Sequence, residues 1–161
     1  MPVISCTHDL ESLTLTFVAE FAVPVQRIWD LYADPRQLEK VWGPPSHPAT
    51  FARHDFEVGG RSHYYMTGPE GQKYCGYWVM TLMEEPTRFC YEDGFCDEKF
   101  SPNPDLPVSI NDYTFEMIES GTRATYLSTY ASKEGLEQVL AMGVVEGATS
   151  AINQIDAFLS N

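Results

Sequence analysis

Positive charge is scarce in this sequence. Ten Lys and Arg stand against 23 Asp and Glu, a formal net charge of -13 at pH 7. Such a surface repels phosphate backbones and anionic lipid headgroups, which argues against nucleic acid and against membranes as partners. Long apolar runs are missing as well, and none approaches the ~20 residues of a membrane span. The opening residues, MPVISCTHDLES, place no basic segment ahead of an apolar one. No secretion signal is read there, and a cytoplasmic location is expected. The four cysteines, Cys6, Cys75, Cys90 and Cys96, form no CxxC pair and read as reduced thiols. His47, His54 and His63 are spaced too widely for a compact metal motif and read as surface or loop side chains. No G-x-S-x-G, no Ser-His-Asp set and no phosphate-binding glycine loop occurs, and Gly59-Gly60 reads as a turn. Neither a metal nor a cofactor is expected.

What is present is a core. The chain has 161 residues, of which 43% are hydrophobic and 13% aromatic, which suits one domain over residues 1–161. Residues 13–22 alternate, with Leu13, Leu15, Phe17, Ala19 and Phe21 on one face, as a strand with one buried side requires. Pro24 opens a short helix with Ile28 and Leu31 inward, and Asp34-Pro35 caps a second, PRQLEKVW. Strands follow over ATFARHDFEV, RSHYYMT, YCGYWVMTLM and RFCYEDGF, then a polar, proline-rich loop at 97–107. A last hairpin turns at Ser120-Gly121. Ser132 then caps one long helix running to about Leu159, with Glu134 in its first turn. The order predicts an α+β fold: an antiparallel sheet of about six to seven strands, curled by its twist around a long C-terminal helix, with two short helices after the first strand.

That helix carries a broad stripe of Leu140, Gly143, Val144, Gly147, Ala148, Ala151, Ile155 and Phe158, small at its centre and large at its ends. Glu146, Asn153 and Asp156 interrupt the apolar stretch, which excludes a membrane dimerisation face. Two explanations stay open. The small residues let the helix press onto the sheet, or they leave free volume between helix and sheet.

The segments FAVPVQRIWDLYADPRQLEKVWGP, GGRSHYYMTGPEG, EEPTRFCYE and the C-terminal M-G-x-x-x-G helix, in this order and spacing, resemble the START-like, helix-grip superfamily also called SRPBCC. More narrowly, they resemble the homology family named after the activator of the heat-shock protein 90 ATPase. The resemblance implies a curved antiparallel sheet gripping the C-terminal helix, with an apolar cavity between them. Its members include small-molecule carriers and polyketide cyclase or aromatase relatives. Two positions depart from the family pattern: Ala148 stands where a Trp is common and Ser62 where a large aromatic is common. Both remove bulk where helix meets sheet.

If Ser62 points inward, alternation sends Tyr64 and Met66 inward too. Tyr113, Phe115 and Met117 share one face of the next-to-last strand, and Ala124, Tyr126, Ser128 and Tyr130 one face of the last. The candidate ligand-binding set is therefore Tyr64, Met66, Trp78, Met80, Tyr91, Phe115, Met117, Tyr126, Val144, Gly147, Ala148 and Ala151. Aromatic faces with a few hydroxyls suit an apolar or aromatic small molecule, the expected partner. No catalytic residue is assigned. A cyclase-like enzyme using Tyr64, Tyr126 or Glu92 is the alternative, and a chaperone-interacting module ranks third. A homodimer is left open.

Overall fold

The computed structural model describes residues 2–160, so the two end residues of the expected domain lie outside the described residues. Strand β2 (Thr14–Phe21) realises the alternation of the sequence, burying Leu15, Phe17, Ala19 and Phe21 on one face. The other strands are β1 (Val3–Asp9), β3 (Ala49–His54), β4 (Arg61–Thr67), β5 (Lys73–Glu84), β6 (Arg88–Cys96), β7 (Ser109–Ile118) and β8 (Gly121–Tyr130). They form one 8-stranded sheet in the order β1-β2-β8-β7-β6-β5-β4-β3, every neighbouring pair antiparallel. The sheet thus has eight strands rather than six or seven. The strand that escapes the sequence pattern is β1, an edge strand with largely exposed side chains and no alternation, held by its ladder to β2. A hydrophobic pattern cannot reveal an element that buries so little.

Helices α1 (Val25–Ala33) and α2 (Pro35–Leu38) follow β2 as expected. Ile28, Trp29, Leu31 and Tyr32 of α1 are buried. Asp34 accepts the Arg36 backbone N–H at 2.9 Å and starts α2. The second helix is shorter than its sequence suggested, and the chain continues through turns to Trp42.

The expected long helix is two. Helix α3 (Lys133–Ala141) is capped by Ser132, whose Oγ accepts the Gly135 N–H at 3.0 Å. Helix α4 (Val144–Leu159) begins after Gly143, whose φ of 86° is left-handed. Glycine takes that conformation without a Cβ penalty, so the chain turns there instead of continuing one helix. A curved sheet gripping a C-terminal helix, here α4, is the helix-grip arrangement. Among the described residues no helix is long and apolar enough to cross a membrane.

Candidate ligand-binding cavity

The concave face of the sheet and helix α4 do not close on each other. They enclose a cavity of about 480 Å³. Its floor comes from alternate residues of four strands: Tyr64 and Met66 of β4, Tyr91 and Asp93 of β6, Asn111 and Tyr113 of β7, Tyr126 and Ser128 of β8. Its roof is the small-residue stripe of α4, Val144, Gly147, Ala148 and Ala151. Trp42 and His47 close one side from the loop between α2 and β3. Gln154 of α4 donates to the Gly43 carbonyl at 2.6 Å and fastens that loop to the roof.

The two small stretches of the helix do different work. Gly143 is required by its backbone angle. Gly147 is required by nothing local: a Cβ there would meet no atom within 4 Å, because it would project into open space. The free-volume explanation of the stripe holds at this point of the helix.

Of the twelve residues singled out from sequence, Tyr64, Met66, Tyr91, Tyr126, Val144, Gly147, Ala148 and Ala151 line the cavity. Trp78, Met80 and Phe115 face the same side of the sheet but are sealed in the core, each at most 2% exposed. The bulge in β5 falls after Met80, so it does not turn Trp78 and Met80 outward. Met117 is corrected outright. It is 86% exposed and borders a surface groove with Pro24 and Pro86, because β7 runs on past the part of the sheet that helices cover.

Ser62 also behaves differently from expectation. It is fully buried, but the space left by its small side chain is filled. His54 Nδ1 lies 2.7 Å from Ser62 Oγ, and its ring packs against Phe51, Phe56 and Trp78. His54 is therefore a structural core histidine rather than a surface one, and burial lowers its pKa. His63, by contrast, stacks on Phe100, with ring centroids 4.6 Å apart. The four thiols are free, and burial raises the pKa of each.

The polar groups of the cavity fall into two sets. In the first, partners are internal. Tyr32 Oη donates to Tyr126 Oη at 2.9 Å, Ser128 Oγ donates to Asn111 Oδ1 at 2.6 Å, and Asn111 Nδ2 donates to Ser109 Oγ at 3.0 Å. The second set is Asp93 with Tyr64, whose hydroxyl donates to Asp93 Oδ1 at 2.9 Å. Tyr64 reaches that far because it lies flat over Gly76, where a Cβ would run into its ring. Burial pushes the Asp93 carboxyl up to about 7, the Tyr64 hydrogen bond pulling only partly the other way. Among the described residues no Lys, Arg or His pairs with it. The Trp42 indole N–H, also on the cavity wall, is buried on the side of the Tyr64 hydroxyl.

Asp93 is the residue that sequence reasoning missed. The cyclase alternative names Glu92, yet alternation on β6 turns Glu92 to the outer face and brings Asp93, two residues on from Tyr91, inward. The signal was therefore present. Tyr32 and Trp42 gave none, since an aromatic on a short helix or in a turn reads as core.

Comparison with known proteins places the chain. The family model for Activator of Hsp90 ATPase homolog 1-like protein matches residues 22–160. The crystal structure of protein Ms6760 from Mycobacterium smegmatis is 66% identical, covers 98% of this chain and 97% of that one, and superposes with a TM-score of 0.92. The solution structure of a protein from Arthrobacter aurescens is 46% identical, covers 98% of this chain and 92% of that one, with a TM-score of 0.94. A Rhodobacter sphaeroides protein at 20% identity and TM-score 0.83 covers 97% of both chains and shares the fold. No curated protein matches the chain.

Proposed function

The chain belongs to the Activator of Hsp90 ATPase homolog 1-like family, and from that premise we propose that it is a cytoplasmic binding protein for an apolar or aromatic small molecule. One observation carries the reading: a cavity of about 480 Å³ lies between the sheet and α4, walled by Tyr, Trp and Met and left open by Gly147 and Ala148. A space of that size lies within the range of small-molecule sites, and a close-packed interior does not keep it without cause. Native mass spectrometry of freshly purified protein tests the reading. An extra mass that disappears on denaturation is expected. A bare chain mass, together with no uptake of an apolar fluorescent probe, would overturn it.

The Tyr64–Asp93 pair favours a second reading, a cyclase-like enzyme. A carboxyl that burial pushes up to about 7 inside an aromatic-walled cavity is suited to moving a proton to or from a bound substrate. The two readings part on one result: a carrier returns its ligand unchanged, whereas an enzyme returns a different compound, resolved by chromatography and NMR because ring closure alone conserves mass.

A further inference from the structure

Asp93 presents the cavity with an unanswered charge. A carboxylate offers about four acceptor sites, and among the described residues it receives one side-chain hydrogen bond, from Tyr64. Around it the polar side chains of the floor already satisfy one another, Ser128 with Asn111 and Tyr32 with Tyr126. The remaining wall near it is aromatic: Tyr91, Tyr113, Tyr130 and Trp42. A ligand made only of carbon would leave this carboxyl buried without a partner, which is costly. A ligand carrying a negative charge would be repelled by it. A cation satisfies it, and the faces of the surrounding rings attract the same cation. The acidic surface, with its net charge of -13, also concentrates cations outside.

We propose that the cavity selects small aromatic molecules carrying a protonated amine, with the ammonium group paired to Asp93 and the ring laid among Tyr91, Tyr113 and Tyr126. This rests on the binding reading above and names its ligand class. The role of Tyr64 is to hold Asp93 in place while leaving its second oxygen for the ligand.

The test uses two probes of nearly equal shape, 2-naphthylmethylamine and 2-naphthylmethanol, titrated calorimetrically into the purified protein at about pH 8. The amine is expected to bind at least ~10-fold more tightly than the alcohol, as a charge-assisted contact implies. Asp93→Asn is expected to abolish that preference.

A pH series on the unaltered protein gives the same information without a variant. Tyr64 on β4, Tyr77 on β5, Tyr91 and Cys96 on β6, Tyr113 on β7 and Tyr130 on β8 all interact with Asp93, and burial raises the pKa of each, so none becomes charged between pH 5 and 8. Asp93, held at about 7, loses its charge over that range while the amine keeps its own. The preference should therefore shrink at about pH 5. His47 also lines the cavity, and repeating the series with His47→Gln separates its contribution.

Equal affinity for both probes at about pH 8 overturns the ligand class and leaves the binding reading standing. A preference that survives Asp93→Asn overturns the role of Asp93. Failure of both probes to bind overturns this proposal, and the binding reading falls with it only where native mass spectrometry also shows the bare chain mass.

Discussion

His54 Nδ1 accepts the Ser62 hydroxyl at 2.7 Å while Nε2 donates to the Tyr32 carbonyl at 2.7 Å, so one neutral imidazole joins β3, β4 and the end of α1. The ring occupies the volume that a large aromatic at position 62 would take, and it is enclosed by Phe51, Phe56 and Trp78. His54→Ala removes that packing and strands a buried hydroxyl. Chemical denaturation should show a loss of roughly 2–4 kcal/mol, the sum of a cavity and an unsatisfied polar group. A loss below about 1 kcal/mol would mean that the ring is only peripheral.

How much of this was legible beforehand differs from residue to residue. The sheet, the short helices, the Ser132 cap and the inward faces of β4 and β8 follow from period and capping residues, because each buries a regular set of side chains. The break at Gly143 was not legible, since a glycine within an apolar stripe reads equally as a packing residue or as a left-handed corner. Whether the stripe leaves space was likewise undetermined, because that depends on distances across the fold. Asp93 was legible by parity alone. A charged residue beside another charged residue suggests solvent, whereas β6 turns Asp93 of the two into the cavity.

Gly147 separates stability from binding. In a helix interior, glycine costs about 1 kcal/mol relative to alanine, and a Cβ at this position would touch nothing. Gly147→Ala should therefore raise the melting temperature. Gly147→Leu should fold equally well but fill the roof of the cavity and lower probe affinity by ~10-fold or more. Undiminished binding by the Leu variant would place the ligand elsewhere.

Gly143 should answer in the opposite sense. Its φ of 86° is a conformation that L side chains rarely adopt. Gly143→Ala is expected to destabilise by about 1–2 kcal/mol, although a Cβ there would meet only the Glu146 carboxylate, at 3.8 Å. Thermal melts of Gly143→Ala and Gly147→Ala run together should shift in opposite directions.

Asp93 gives the protein a pH dependence whose sign is fixed by the direction of its shift. The folded carboxyl titrates at about 7 against an ordinary 3.8. As pH rises from 3.8 towards 7, the unfolded chain ionises Asp93 freely while the folded chain retains the proton. Folding therefore loses stability across that window, by up to roughly 4 kcal/mol at about 1.36 kcal/mol per unit, less whatever water in the cavity recovers. Below the window the contribution is absent, and above it the loss is complete. His54 acts in the other direction: its depressed pKa costs stability as pH falls below 6.5. Comparing the wild type with Asp93→Asn cancels the His54 contribution, since both proteins carry it. The stability gain of Asp93→Asn should thus be small near pH 4, grow to pH 7 and level off above, measured by urea denaturation at each pH. A saturating aromatic amine should reverse the ranking above pH 7, because it stabilises only the protein whose carboxylate it pairs with. Parallel stability curves for the two proteins across the whole range would show that Asp93 is solvated rather than held in an apolar cavity.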